Sequence, residues 1–181
     1  MDGTRLLGWL VGAGEREAVD WDAVYAEELP RVYNFFRYRV GSRAVAEDLA
    51  SLTFEKAWRA RARYRRDRAS VSTWLLAIAR NVAADHFRRP RVEVPLDEND
   101  ASVAPSPEDA AARDGDLRRL WGLLAGLPAR EREILSLKFG AEATNRAIAR
   151  LTGLSESNVG TILHRTIAGL RAAWDEGGGR S

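Results

Sequence analysis

The stretch TNRAIARLTGLSESNVGTILHR, residues 144–165, decides the fold of the second half of the chain. Its first part places apolar residues at helical spacing, namely Ala147, Ile148 and Leu151. Gly153 then permits a tight turn, Leu154 can fill the space between two helices, and Ser155 can cap the next helix. The pattern therefore predicts a helix-turn-helix, with the second helix opening at Ser155.

The second helix of this motif is predicted to run to about Trp174, because its apolar residues recur at helical spacing as Val159, Ile162, Leu163, Ile167 and Leu170. A helix-turn-helix places this helix in the DNA major groove, where its early residues meet base edges. The early polar positions are Glu156, Ser157, Asn158, Thr161, His164 and Arg165. Among them, Asn, Thr, His and Arg side chains can all hydrogen-bond to bases or phosphates. The alternative interpretation of the motif is a plain helical hairpin in a bundle, without DNA binding.

The charge along the chain favours DNA over the plain hairpin. Residues 21–90 carry 14 Arg or Lys against 8 Asp or Glu, and residues 117–174 carry 9 against 4. Residues 91–116 between them carry 2 against 8. Two basic blocks around an acidic one predict two polyanion-binding domains on a tether.

The acidic block, 91–116, is predicted to be an extended linker, since Pro95, Pro105 and Pro107 oppose regular structure and its acids repel one another. A passive spacer is the interpretation that composition favours for this segment. The other interpretation, that Asp97, Glu98 and Asp100 compete with nucleic acid, is implied only by the family resemblance that residues 47–58, 72–89 and 127–165 carry.

The first basic block also has a helical pattern. Ser42 is a plausible N-cap, and Pro30 is expected to kink an early helix or to start a new one. Residues 59–68 then hold six arginines in ten positions, beside Tyr64 and upstream of Trp74. Single-stranded DNA is bound by cations and aromatic rings in combination, so this segment is a candidate site for it. The plainer interpretation of the arginine run is a solvated helix end. Trp74 could equally lie in a core.

The composition excludes several classes of protein. Cysteine is absent, which rules out disulfides and cysteine-based zinc sites and fits a cytoplasmic location. Two histidines, His86 and His164, are too few for a metal cluster, so we expect no metal and no cofactor. The chain lacks a run of eighteen apolar residues, and Gly8 and Gly12 break the apolar start, so neither a membrane span nor a secretory signal is expected.

Three stretches resemble parts of the extracytoplasmic-function (ECF, group IV) RNA polymerase sigma factors. Residues 47–58, EDLASLTFEKAW, resemble the helix that binds core polymerase. Residues 72–89, STWLLAIARNVAADHFRR, resemble the helix that reads the minus-ten promoter element. Residues 127–135 together with 147–165 resemble the minus-thirty-five-reading domain.

The resemblance implies a role for individual residues. It assigns core-polymerase binding to Asp48, Leu49 and Phe54. Together with the arginine-rich segment, it assigns minus-ten DNA binding to Tyr64, Arg65, Arg66, Ser72, Trp74, Asn81, His86, Arg88 and Arg89. It assigns minus-thirty-five binding to Lys138, Ser157, Asn158, Thr161, Ile162, His164 and Arg165. The chain departs from the family pattern at Ser51 and Leu52, where the family often has a Gln-Glu pair. It also departs at Gly160 and Ile162, two positions where the family often has a basic residue.

These observations predict an all-α protein with two small helical domains. The domains are region 2 at 21–90 and region 4 at 117–174, with an N-terminal extension at 1–20 and a flexible tail at 175–181. By resemblance, its partners are core polymerase, through the β′ clamp helices and β flap, promoter DNA and an anti-sigma factor. We expect a monomer outside the holoenzyme, without membrane contact and without catalysis of its own. The alternatives are a stand-alone helix-turn-helix regulator of duplex DNA and, more remotely, a nucleic-acid-processing enzyme.

Overall fold

A computed structural model describes residues 19–88 and 107–178. Within these two ranges every regular element is a helix, and there is no strand. The prediction of an all-α protein is therefore confirmed.

The first domain consists of three helices: α1 at Trp21–Val40, α2 at Arg43–Ala60 and α3 at Val71–Arg88. The Asp20 side chain caps α1, and Gly41 ends that helix with a φ of 74°. Ser42 then caps α2 by accepting from the Val45 N–H at 3.4 Å, as the sequence predicted. Pro30 does not start a new helix, because α1 continues through it to Val40.

The second domain contains α4 at Pro107–Gly126, α5 at Ala129–Leu135, α6 at Asn145–Thr152 and α7 at Glu156–Gly178. Helix α4 begins inside the stretch predicted to be linker, since proline is tolerated in the first turn of a helix. A π-helical turn at Ser136–Gly140 follows α5 directly. Helix α7 extends to Gly178, into the predicted tail.

The buried apolar side chains of the two domains belong to one hydrophobic cluster. Phe35 and Phe36 of α1 pack with Leu75 and Leu76 of α3, and all four are at most 2% exposed. In the second domain the apolar side chains Ile134, Leu137, Ile148 and Val159 are fully buried. These buried side chains fix how α2, α3 and α7 present their outer faces.

The two domains pack against each other, mainly through α1 and the π-helical turn. The Arg39 guanidinium donates to the carbonyl oxygen of Ala129 at 2.8 Å, and Arg80 Nε donates to Glu133 Oε1 at 2.8 Å. Burial lowers the pKa of Arg39 from its ordinary value, and the nearby Glu133 carboxylate opposes that shift. Arg39 Nε is buried with no hydrogen-bond partner among the described residues, so the bond to Ala129 offsets only part of the cost of burying this guanidinium.

A helix must be both long and apolar to cross a bilayer. No helix of the described ranges meets both requirements.

Candidate nucleic-acid interface

The helix-turn-helix is built as the sequence predicted. Thr144 caps α6 by accepting from the Ala147 N–H at 3.1 Å, and Gly153 turns the chain with a φ of 73°. Ser155 Oγ then accepts from the Asn158 N–H at 3.1 Å, which fixes the first turn of α7. A 3.1 Å ion pair between Arg146 and Glu156 also links the two helices across the turn.

The outer face of α7 is polar and accessible. It presents the exposed side chains of Ser157, Asn158, Thr161, His164 and Arg165. The Thr161 hydroxyl donates to the Ser157 carbonyl at 3.0 Å, so towards a ligand it can act only as an acceptor. Five polar side chains along the start of one helix form a surface able to bond to base edges and phosphates.

Two further residues assigned to minus-thirty-five DNA lie differently. Ile162 is half-buried and packs against the hydrophobic core, on the inner side of α7. Lys138 is half-buried in the π-helical turn. Ile162 therefore contributes to holding α7 in place, and Lys138 offers a cation from a separate element.

The arginine-rich segment leaves the α-helix at Ala60 and forms a 3₁₀ turn at Arg61–Arg63. A loop then leads to α3, and its side chains at Arg65, Arg66 and Arg68 are exposed. Arg65 pairs with Asp67 at 3.2 Å, and this hydrogen bond lowers the pKa of Asp67. We call residues 61–70 the arginine loop.

Three aromatic rings pack at the base of the arginine loop. The Tyr64 ring lies 5.2 Å from that of Trp74 and 6.0 Å from that of Trp21. Trp21 and Trp74 are 5.9 Å apart, and all three side chains are half-buried. Sequence reasoning missed the packing of Trp21 on Tyr64, because Trp21 lies more than forty residues before Tyr64 and only the fold brings the two rings together.

The remaining residues assigned to minus-ten DNA are distributed along α3. Asn81 is exposed, the His86 ring packs on Phe87, and Arg88 pairs with Asp85. Ser72 instead donates its hydroxyl to Glu28 Oε2 at 2.9 Å. Arg89 lies outside the described residues, as do the linker acids Asp97, Glu98 and Asp100.

The residues assigned to polymerase binding lie on α2. Asp48 is exposed, but the Leu49 side chain is only 7% exposed and belongs to the core. The Phe54 ring packs edge-on against Tyr25 of α1 at 4.8 Å. One turn after Asp48, Leu52 is 37% exposed, so it offers an apolar contact on the same face.

A metal centre would need several ligating side chains close together. The residues that the structure describes contain no group of three His, Cys, Asp or Glu that could hold a metal ion.

Comparison with known protein families divides the chain as its charge pattern does. Residues 24–92 match sigma-70 region 2, and residues 123–172 match sigma-70 region 4. The first match contains the arginine loop and α3, and the second contains the helix-turn-helix.

Curated relatives align along most of the chain. It is 32% identical over 172 residues to the ECF RNA polymerase sigma factor BldN of Streptomyces coelicolor, covering 92% of this chain and 64% of BldN. It is 31% identical over 156 residues to the RNA polymerase sigma factor CarQ of Myxococcus xanthus, covering 83% of this chain and 87% of CarQ. The chain thus spans about two-thirds of the first relative and most of the second.

Solved structures share the fold. The sigma factor RpoE of Bartonella quintana, in complex with the anti-sigma factor NepR, superposes with a TM-score of 0.67 at 18% identity, covering 86% of this chain and 97% of RpoE. CnrH, in complex with the cytosolic domain of CnrY, superposes with a TM-score of 0.59 at 23% identity, covering 86% of each chain.

Proposed function

The chain belongs to the ECF RNA polymerase sigma factors, and we propose that it is a group IV member whose two domains bind different parts of the promoter. A sigma factor binds core RNA polymerase and directs it to promoters. Because the polymerase carries out the catalysis, we propose no enzymatic activity for this chain. We also propose that the chain acts where the polymerase acts, in the cytoplasm. In our proposal the first domain docks on polymerase and holds unpaired minus-ten DNA, while the second reads duplex minus-thirty-five DNA.

The observation that carries this proposal is that one chain holds two surfaces of different composition, each suited to a different form of DNA. The outer face of α7 suits duplex DNA, because a polar helix fixed by its turn fits the major groove. The arginine loop suits an unpaired strand, because it combines exposed cations with aromatic rings. A stand-alone regulator of duplex DNA needs the first surface but has no use for the second.

For polymerase docking we propose the exposed side of α2. Asp48 and Leu52 are both exposed and lie one turn apart on α2. A charged residue next to an accessible apolar side chain is the composition expected at the edge of a protein interface. In this family the partner surface is the clamp helices of the β′ subunit, and region 4 meets the β flap.

An anti-sigma factor is the proposed regulator. Two of the solved structures that share this fold are complexes, one with the anti-sigma factor NepR and one with CnrY. The packing of α1 against the π-helical turn gives such a partner a single body to bind. Outside these complexes we propose a monomer.

Runoff transcription tests the proposal. Core polymerase is incubated with a genomic promoter library, with and without this protein. We expect discrete new transcripts only in its presence, and no tight operator binding by the protein alone. Tight duplex binding without polymerase, combined with no new transcripts, would establish the stand-alone regulator instead.

A further inference from the structure

Trp21 lies in the first turn of α1, three residues before the stretch that matches sigma-70 region 2. Asp20 fixes this turn, since its Oδ1 accepts from the N–H groups of Asp22 and Ala23 at 3.1 Å each. From there the Trp21 ring meets Tyr64 edge-on, at an interplanar angle of 78°, and also meets Trp74. The start of the first helix is thereby joined to the arginine loop and to the start of α3.

Tyr64 connects this ring cluster to the backbone of the loop. Its hydroxyl donates to the Ala69 carbonyl at 3.1 Å, and its N–H donates to the Arg61 carbonyl at 3.1 Å. Between these anchors the Arg68 N–H donates to the Arg65 carbonyl at 3.0 Å, which closes a turn. Where the Tyr64 ring sits therefore determines how the loop backbone lies against α3.

The loop arginines point into solvent, so their directions depend on that backbone. Arg63, Arg65 and Arg68 are all exposed. If the loop moved, its arginines would no longer be aligned with the phosphates along a DNA strand. Positioning of the loop thus matters for how many phosphates it meets at once.

We propose that Trp21 is a positioning residue for promoter melting. It holds the Tyr64 ring against Trp74, and so keeps the arginine loop in the geometry that meets the phosphates of the unpaired strand. The inference rests on the proposed function of the first domain and adds to it a residue outside the matched family region.

Trp21 is separable from the core of its domain. Its side chain is only half-buried, whereas Phe35, Phe36 and Leu76 form the buried interior. We therefore expect Trp21→Ala to retain the helical content and the polymerase affinity of the wild type. Trp21→Phe keeps an aromatic edge against Tyr64 and serves as the conservative variant.

The first measurement is the salt dependence of single-strand binding. Reconstituted holoenzyme is titrated with a pool of random single-stranded DNA oligonucleotides at several salt concentrations. Trp21→Ala removes no charge, yet we expect its salt slope to fall by about 0.7 for each phosphate that the displaced loop no longer neutralises. Its affinity should fall about two- to tenfold, the range expected for an aromatic contact, and Trp21→Phe should restore both quantities.

The second measurement is a double-mutant cycle with Tyr64→Ala. If Trp21 acts through Tyr64, Trp21→Ala should cause little further loss of affinity in the Tyr64→Ala holoenzyme. An unchanged salt slope for Trp21→Ala, or additive losses in the cycle, would overturn the inference. Failure of wild-type holoenzyme to bind the oligonucleotides at all would instead overturn the proposed function of the domain.

Discussion

Gly140 lies so close to Asn34 that a Cβ atom at Gly140 would be 2.7 Å from the Asn34 carbonyl oxygen. Such a distance is shorter than any ordinary contact between these atoms, and the neighbour is backbone of α1, which cannot move aside cheaply. The π-helical turn of the second domain therefore meets the first domain at a point where glycine alone fits. Gly140 therefore lies at the interface between the two domains, since Asn34 belongs to the first domain and Gly140 to the second.

We predict that Gly140→Ala separates the two domains without unfolding either. The added methyl displaces the turn from α1, and this separation should also weaken the bond between the domains from Arg39 to Ala129. Small-angle scattering should show a larger radius of gyration at unchanged helicity. Gly122→Ala is the matched control, because a Cβ at Gly122 in α4 meets nothing within 4 Å. A scattering curve identical to wild type for Gly140→Ala would contradict the close approach of the two backbones.

A second prediction concerns docking on polymerase. We expect Asp48→Arg combined with Leu52→Ala to weaken holoenzyme assembly while the thermal stability stays near that of the wild type, since both side chains are accessible. Leu49→Ala should behave differently. Leu49 is a core residue, so its truncation should destabilise the protein by about 2–5 kcal/mol. Co-purification with core polymerase, alongside thermal denaturation, separates the two effects, and normal assembly by the double variant would refute the proposed face.

The contrast between Leu49 and Leu52 shows what the sequence could predict. Helical spacing identified α2, its cap at Ser42 and the whole helix-turn-helix, because these depend on neighbours in sequence. Which side of α2 is buried depends on α1 and α3, and therefore on contacts between residues distant in sequence. The same holds for Trp21 and Ser72, whose partners lie about forty residues away or more.

A third prediction concerns Ser72, which the resemblance assigned to DNA. Its hydroxyl donates to the Glu28 carboxylate, which is 4% exposed and also bonds to Arg31 at 3.3 Å. Ser72→Ala removes one donor from this buried carboxylate and should lower the free energy of unfolding by about 1–3 kcal/mol. Ser51→Ala, at an exposed serine of α2, should change it little. Denaturant unfolding measures both variants, and equal stabilities would show that the bond to Glu28 contributes nothing.

A fourth prediction uses Gly160, which stands where relatives often have a basic residue. A Cβ at Gly160 would have the Asn145 side chain, at 3.9 Å, as its one neighbour within 4 Å among the described residues, so a side chain can start there without a close contact. Gly160→Arg should strengthen binding of the holoenzyme to upstream DNA and steepen its salt dependence, because a cation is added beside the proposed groove-facing side chains. Gly160→Ala controls for the gain of about 1 kcal/mol in helix propensity. A salt slope equal to that of Gly160→Ala would show that position 160 does not face DNA.

The last prediction separates base reading from phosphate binding in the second domain. Arg165 is exposed on α7, one turn after Thr161, where a side chain in the major groove can reach a base edge. Arg165→Ala should therefore cost about 1–3 kcal/mol of binding and relax the preference at one or two base pairs.

Lys138 lies apart from α7, in the π-helical turn, and we propose that it binds the phosphate backbone. Lys138→Ala should thus weaken binding almost equally for all sequences, and lower the salt slope by about one unit. Both variants are measured as holoenzyme against a DNA library randomised only in the minus-thirty-five region, at several salt concentrations. The two profiles should differ from each other in shape as well as in strength, because one variant loses sequence information and the other loses only charge. If Arg165→Ala keeps the wild-type sequence profile, Arg165 does not read bases, and recognition must depend on the other exposed side chains of this face, Ser157, Asn158, Thr161 and His164.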